Sequence, residues 1–170
     1  MNLREKWRTI IEFPKYEISD QGNIYHTERN IVMRTSQTAH GNTKITLTDY
    51  EGNRYTRSVA LLVADAFVVP PNFMCDQVIA LDGNLSNVAA SNLAWRPRWF
   101  AWKYIRQLRE PQPNHYYNLT VRNIIDEEDY ESIIEAGITE GLLFENIWQS
   151  TYRGNEVFPS GSIFEIVQRV

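Results

Sequence analysis

The sequence predicts an α+β fold in which small antiparallel β structure comes first and helices follow. Short alternating stretches separated by glycine-containing turns fill the first third of the chain, which is typical of hairpins. An apolar stretch over 60–67 and a basic stretch beginning at Pro97 have helical patterns. The length of 170 residues suits one domain or two small ones, and a 43% hydrophobic content is enough for a core.

Strand and turn signals recur through the first 60 residues. The predicted strands are 16–19, 23–26, 31–34, 44–48 and 55–58. Gly22 lies in the turn between the first two strands, so we expect a hairpin there. The helix over 60–67 stops before Pro70. We interpret this third of the chain as a β scaffold that packs its aromatic side chains, in preference to a dedicated DNA-reading surface.

The residue pattern in the middle of the chain predicts a strand, then a turn, then a helix. Val78–Leu81 is a short apolar strand, and Asp82-Gly83-Asn84 has turn chemistry. Pro97 is suited to the first position of the helix that follows.

The stretch 95–109 holds cations interleaved with aromatic side chains and contains no acid. Helical spacing places Ala101, Tyr104, Ile105 and Leu108 on a stripe that faces the core, and Trp99, Lys103 and Arg106 on another side. Such cations contact phosphates, and an exposed tryptophan stacks on a base. The predicted nucleic-acid-binding residues are Arg96, Arg98, Trp99, Lys103, Arg106 and Arg109. The alternative is a solvated basic face beside tryptophans that belong to the core.

A proline-containing linker, 110–114, precedes an α/β unit. We predict a strand over 116–125, a helix over 129–136 that ends at Gly137, a second helix over 139–149 and a strand over 163–167. The apolar residues 142–144 and 147–148 are expected in the core of this unit, with an interface patch as the alternative.

The net charge of −4 conceals two regions of opposite sign. Residues 1–125 carry 15 Lys and Arg against 11 Asp and Glu, whereas residues 126–152 carry eight acids and no base. We therefore expect a basic protein surface as a partner for the acidic segment 126–152. A single cysteine, Cys75, excludes a disulfide framework, and the absence of an apolar leader or spanning run predicts a cytoplasmic protein.

The core of the sequence resembles HNH homing endonucleases, metal-dependent DNA-cutting enzymes of bacteriophages and introns. The matching residues are Gly83, Asn84, Asn87, Asn92, Leu93 and Trp95. The resemblance implies a ββα-metal core and, if it extends to origin, a phage protein in the cytoplasm of its host. It also implies a DNA partner, more than an RNA partner.

The sequence differs from this family at the positions that carry its catalytic base and its metal ligands. Ala80 stands where the family has its general base, and Ile79 and Ala101 stand where it has metal ligands. Asn92, which in the family orients the base, is kept, and Asp82 belongs to the same vestigial site. Alanine and isoleucine have no lone pair to accept a proton or ligate Mg²⁺. We therefore predict no catalytic residues, no bound metal and no cofactor, and we lean toward a protein that is not an enzyme.

Two further pieces resemble modules that accompany such nucleases. The N-terminal piece matches at Trp7, Ile10, Phe13, Tyr16, Ile18, Ser19, Gly22, Ile24 and in 62–67, although Ala60-Leu61 replaces a His-Arg pair. Residues 130–136 resemble part of a helix-turn-helix repeat. The predicted domains are a nuclease-associated β module (1–70), a degenerate HNH core (71–110) and an acidic C-terminal unit (111–170).

Three hypotheses follow for function. The first is an inactive HNH endonuclease homologue that binds nucleic acid, protein or both. The second is a protein-interaction component such as an inhibitor, an adaptor or a part of a phage assembly. The third is an active, Mg²⁺-dependent nuclease that uses substitutes, with Asp76 or Asp82 for the metal and His115 as the base.

Overall fold

Short antiparallel sheets and four α-helices make up the part of the chain that the computed structural model describes, residues 5–110 and 115–167. Contacts group the chain into an N-terminal unit, Met1–Trp95, and a C-terminal unit, Arg96–Val170. The predicted α+β class is confirmed. Most of the predicted linker, 111–114, lies outside the described residues, and the predicted division at residues 70 and 110 stays a prediction.

The N-terminal unit contains two antiparallel sheets, one helix and a final pair of strands. The elements are β1 (Trp7–Ile10), β2 (Phe13–Ser19), β3 (Ile24–His26), β4 (Ile31–Val32), β5 (Ser36–Gln37), β6 (Thr43–Thr48), β7 (Arg54–Ser58), α1 (Val59–Phe67), β8 (Gln77–Ala80) and β9 (Leu93–Arg96). Strands β1 to β4 pair in chain order, β5 to β7 form a second sheet, and β8 pairs with β9. The predicted strands and helix of this unit are therefore confirmed, apart from end residues.

Alternation in β6 explains the position of the core. Ile45 and Leu47 are buried, whereas Lys44 and Thr46 between them are exposed. Because successive side chains of a strand point to opposite faces, this pattern turns one face of the sheet inward. The buried face packs with apolar side chains of β2, β3 and α1, among them Ile18, Ile24, Val59 and Val63.

Gly22 is required in the turn between β2 and β3. Its φ of +84° is a conformation that side chains disfavour, and a Cβ there would lie 2.3 Å from Cγ2 of Val88. The same turn accepts a hydrogen bond from the chain that leads into β9, because the amide of Ala90 donates to the carbonyl of Asp20 at 2.8 Å. This contact ties the segment between β8 and β9 to the first sheet.

The C-terminal unit combines three helices with a three-stranded sheet. Its elements are α2 (Arg98–Arg109), β10 (Val121–Asn123), β11 (Glu128–Tyr130), α3 (Ile133–Glu140), α4 (Phe144–Arg153) and β12 (Phe164–Ile166). Strand β10 lies between β11 and β12, and a separate core of side chains such as Val121, Ile133 and Ile147 fills this unit. Among the described residues, none of the helices has the length and apolar character needed to cross a membrane.

Several boundaries predicted for the C-terminal unit are wrong. Residues 128–130 form a strand, and α3 begins only after Ser132, whose side chain accepts a hydrogen bond from the amide of Glu135 at 3.0 Å. The helix does not end at Gly137. It continues to Glu140 and is closed by Gly141, which has a left-handed conformation. The second helix begins at Phe144 and not at residue 139. Of the strand predicted over 116–125, only β10 is formed, and a 3₁₀ turn at His115–Asn118 precedes it.

The middle of the chain contains a strand that the sequence pattern did not indicate. Between the turn at Asp82 and helix α2, residues Leu93–Arg96 pair with β8 as β9. The apolar residues of this stretch are too few to show an alternating pattern by themselves, and pairing with β8 decides their conformation.

Candidate functional site

A network of amides surrounds the carboxylate of Asp82 in the turn after β8. Oδ1 accepts from the amide of Asn84 at 2.8 Å and from Nδ2 of Asn92 at 2.9 Å, and Oδ2 accepts from Nδ2 of Asn87 at 2.8 Å. Asn92 also accepts from the amide of Asp82 at 3.1 Å and donates to the carbonyl of Asn87 at 2.9 Å. Asn92 thus holds both ends of the loop that joins β8 to β9.

This network favours the ionised form of Asp82. Partial burial by itself would raise its pKa, but the hydrogen bonds from Asn87, from the amide of Asn84 and from Asn92 together hold the pKa below its ordinary value of 3.8. Because both oxygens already accept hydrogen bonds, the carboxylate acts here as the anchor of a turn. It is not presented as a free ligand.

The positions that the family resemblance assigns to the base and a metal ligand lie in β8 and are apolar and buried. Ile79 is 1% exposed and Ala80 is 7% exposed. They line a cleft of about 260 Å³ together with Asp76, Asn87 and other residues of the N-terminal unit. Mg²⁺ requires several oxygen ligands in near-octahedral order, which these two side chains cannot supply. The residues present at these positions therefore do not fit the metal of the family.

The described residues contain no ready-made metal site for the substitute nuclease that the sequence left open. Within 5–110 and 115–167 there is no group of three or more His, Cys, Asp or Glu side chains placed to hold a metal ion. Asp82 is engaged by three amides, as described above. His115, the substitute base, packs on the ring of Tyr116 at 4.0 Å in the C-terminal unit.

Helix α2 divides its side chains between a buried face and an exposed basic face. Phe100, Ala101 and Tyr104 are buried, as the helical spacing predicted for the last two. The exposed side chains are Arg98, Trp99, Trp102, Lys103, Arg106 and Arg109. We call these six residues the α2 basic face.

Two cation–π contacts hold side chains of the α2 basic face against one another. Nζ of Lys103 lies 5.6 Å from the ring centre of Trp99, and Cζ of Arg106 lies 5.5 Å from the ring centre of Trp102. Both pairs have i, i+4 spacing, which brings side chains together on one side of a helix. Arg106 also forms an exposed ion pair with Glu110 at 2.7 Å.

Trp102 was missed as a candidate site residue. It is 63% exposed, compared with 52% for Trp99, whose ring stacks on Phe158 at 5.8 Å. The signal that could have identified it was present in the sequence, because Trp102 and Arg106 repeat the spacing of Trp99 and Lys103. The ring of Trp102 is thus more accessible to a ligand than the ring of Trp99.

Arg96 does not belong to the basic face, which corrects the predicted site. Its side chain is buried, with 7% exposed, and lies over the ring of Phe100 at 5.6 Å. Nε donates to the carbonyl of Gly141 at 3.0 Å, and Nη2 donates to the carbonyl of Glu140 at 2.8 Å. A cation at the C-terminal end of a helix satisfies its last carbonyls and its dipole. Arg96 therefore stabilises the end of α3.

The helix predicted over 139–149 would contain two acids, Glu140 and Glu145, but the structure separates them. Glu140 lies at the end of α3, where Asn123, Tyr130 and Ser162 donate to its carboxylate at 3.1, 3.1 and 2.8 Å. Helix α4 carries one acid, Glu145, and one base, Arg153. The later start excludes Glu140 and the later end includes Arg153, so α4 has no net charge.

A second exposed basic face lies on the sheet β5–β6–β7. Lys44 and Arg54 point outward, and between them Thr46 and Thr56 share a hydrogen bond of 3.1 Å across the strands. The strict alternation of 43–48 was the sequence signal for this face. An antiparallel pair of strands has dimensions that fit the major groove of DNA.

Comparisons with known proteins agree with the family resemblance. Residues 5–54 match the NUMOD4 motif. An uncharacterized HNH endonuclease of Acanthamoeba polyphaga mimivirus is 30% identical over 90 residues, which are 53% of this chain and only 22% of that protein. A structure of the HNH homing endonuclease I-HmuI, described for DNA binding and cleavage, matches with a TM-score of 0.54 and 21% identity over 97% of this chain and 99% of that chain. The chain is HNH endonuclease-like, and it has the fold of that structure.

Proposed function

We propose that this HNH endonuclease-like chain binds nucleic acid and does not cut it. The α2 basic face is the observation that carries the proposal. Four exposed cations stand on one helix, together with two exposed tryptophans. Cations that neutralise phosphates release bound counterions, which is the main source of affinity for duplex DNA. DNA is the preferred ligand, because a relative of this fold is described as a DNA-binding endonuclease.

The sheet face of the N-terminal unit supports the same function. Lys44 and Arg54 supply cations, and the hydroxyls of Thr46 and Thr56 supply donors for phosphate oxygens. Each unit therefore offers one surface with the chemistry for contacting a nucleic-acid backbone.

Removing two cations of α2 should weaken duplex binding and reduce its dependence on salt. For the double variant Lys103→Ala/Arg106→Ala, the slope of log affinity against log salt should fall by about 1.8, because each lost phosphate contact contributes about 0.9. The measurement is a fluorescence-anisotropy titration against duplex DNA across a series of salt concentrations.

The matched control removes two cations elsewhere. Lys15→Ala/Arg29→Ala changes the net charge by the same amount, and neither residue belongs to α2: Lys15 lies in β2, and Arg29 lies in the turn between β3 and β4. We expect it to keep the wild-type slope. Equal slopes for wild type and for Lys103→Ala/Arg106→Ala would remove α2 from the binding surface.

Cleavage should be absent. Supercoiled plasmid incubated with the chain and Mg²⁺ or Mn²⁺ should remain as intact as in buffer, because Ile79 and Ala80 provide neither a metal ligand nor a base. Gel electrophoresis over a time course measures this. Nicking that disappears in Asp82→Ala would contradict the proposal and restore the nuclease hypothesis.

Protein binding through the acidic segment is the second candidate function. Glu127, in the turn before β11, and Glu131, directly after β11, are both exposed. Asp129, within β11, is already paired with Arg122 at 2.5 Å. Point substitutions test this segment better than a truncation after residue 110. A truncated chain would lose the rest of the C-terminal unit, in which Phe100 and Tyr104 of α2 are buried. If Glu127→Gln/Glu131→Gln leaves nucleic-acid binding unchanged but abolishes a defined protein complex, this segment has a separate protein-binding function.

A further inference from the structure

Four aromatic side chains form a continuous series in the C-terminal unit, on elements other than α2, and three of them, His115, Tyr116 and Tyr152, are exposed. The rings of His115 and Tyr116 lie 4.0 Å apart, Tyr116 and Trp148 stack at 4.7 Å with an interplanar angle of 21°, and Trp148 contacts Tyr152 edge-on at 4.6 Å. Tyr152 is 70% exposed and Tyr116 is 41% exposed. We call these four residues the aromatic stack.

Two anchored elements hold the stack in place. Trp148 and Tyr152 are four residues apart on α4, so they lie on one side of the helix. The 3₁₀ turn that carries His115 and Tyr116 is fixed by Tyr117, which is buried, packs against Phe144 at 5.9 Å and donates to Glu145 at 3.1 Å. Trp148 itself packs against the core of the unit. The rings are therefore ordered before any ligand arrives, which lowers the entropic cost of binding.

The charges of α4 suit an anionic ligand. The single carboxylate of α4, Glu145, already accepts hydrogen bonds through both oxygens, from Tyr117 at 3.1 Å and from Gln149 at 2.9 Å. Arg153 follows Tyr152 directly and is exposed. Helix α4 itself therefore offers an approaching phosphate one exposed cation, in the residue after Tyr152, and no free carboxylate.

We propose that the aromatic stack binds unpaired nucleobases. A base offers a flat π face to an exposed ring, and such stacking tolerates any base sequence. Inside a duplex both faces of a base are covered by its neighbours, so the stack selects single strands or unpaired ends. This function differs from backbone contact by α2, which does not discriminate between paired and unpaired bases.

The test compares single-stranded and duplex probes on the full chain. An oligothymidylate of about a dozen nucleotides covers one site of this kind. Tyr152→Ala should weaken its binding roughly tenfold, because stacking on one ring contributes about that factor, and should leave duplex binding unchanged. Tyr152→Phe keeps the ring and should bind like wild type. Phe73→Ala removes an aromatic ring that is 94% exposed in the N-terminal unit and should also bind like wild type.

Photocrosslinking gives a positional readout. A single strand that contains bromouracil should crosslink to peptides that include Tyr116, Trp148 or Tyr152, and the crosslink yield should fall in Tyr152→Ala as its binding weakens. Failure of the wild-type chain to bind oligothymidylate at low salt would overturn the inference. Unchanged single-strand binding by Tyr152→Ala would overturn it as well.

The two proposals fail in different ways. If Tyr152→Ala has no effect while Lys103→Ala/Arg106→Ala lowers the salt slope on duplex DNA, the proposal for α2 is supported and the proposal for the aromatic stack is rejected. If Tyr152→Ala weakens binding to oligothymidylate while the double variant behaves like wild type, the proposal for the aromatic stack is supported and the proposal for α2 is rejected.

Discussion

Replacing Asn92 by alanine should destabilise the N-terminal unit by about 3 kcal/mol, because three hydrogen bonds of a buried side chain are lost and one of them is to a carboxylate. The loss leaves the amide of Asp82 and the carbonyl of Asn87 without these partners. Urea unfolding and hydrogen exchange of the β8 amides measure the effect. Asn87→Ala is the matched control, since it removes a single side-chain hydrogen bond to Asp82 and should cost about 1 kcal/mol.

The effect of Asn92→Ala should depend on pH in a defined direction. The pKa of Asp82 is lowered in the folded chain, so the stabilisation it receives is fully present above its ordinary value of 3.8 and is lost as the pH falls through the lower folded value. The difference in unfolding free energy between wild type and variant should therefore be constant near neutral pH and shrink in acid. A difference that stays constant down to about pH 2 would show that the Asn92 bonds do not act through the ionised carboxylate.

The prediction for Asn92 also separates two roles of one residue. In an active relative, the resemblance implies that the residue at this position orients a catalytic histidine, but here Ala80 has no side chain to orient. Asn92 closes the loop between β8 and β9 through hydrogen bonds that do not involve Ala80. The hydrogen bonds that close the loop are thus a sufficient structural reason for Asn92 in this chain.

The N-terminal unit could be predicted from sequence because its signals are local. Alternation of apolar and polar residues in β6 fixes which face is buried, and turn residues such as Gly22 mark the ends of strands. The beginning of α2 was predictable for the same reason, because Pro97 disfavours a continued strand and suits a helix start. In these places, local preference and tertiary packing agree.

The candidate site was predicted less completely, because charge in a sequence does not reveal burial. Arg96 and Arg98 are both arginines beside Pro97, yet Arg96 is buried against the end of α3 and Arg98 is exposed. The difference depends on Gly141, which is 45 residues away in the chain. The aromatic stack was missed for a similar reason, since Tyr116 and Trp148 meet only after the 3₁₀ turn and α4 have packed together.

Gly137 shows how a tertiary contact overrides a local signal. Glycine near the end of a helical pattern predicts a stop, and Gly137 was interpreted as one. The structure places it inside α3 with the buried ring of Phe144 against it. A Cβ built there would lie 2.4 and 2.5 Å from two ring carbons of Phe144. The glycine is present because α4 begins too close to α3 for any side chain to fit.

Gly137→Ala should therefore destabilise the C-terminal unit by about 2 kcal/mol, although alanine is the better helix former. Overpacking of a core costs about 1–3 kcal/mol or more, and the gain of about 1 kcal/mol in helix propensity offsets only part of it. Urea or thermal unfolding measures the change. A stabilised variant would mean that the Phe144 ring moves aside at no cost and that helix propensity alone decides.

A double-mutant cycle with Phe144→Leu isolates the contact. The smaller side chain leaves room for the alanine methyl, so Gly137→Ala should cost less in the Phe144→Leu background than in wild type, with a coupling of about 1 kcal/mol or more between the two sites. Phe144→Leu alone should destabilise the unit, because it loses part of a ring that is 2% exposed. Strict additivity of the two substitutions would show that the ring is not what excludes a side chain at residue 137. The turn that joins α3 to α4 would then have to be explained by Gly141 and the Arg96 cap alone, without a close approach of the two helices.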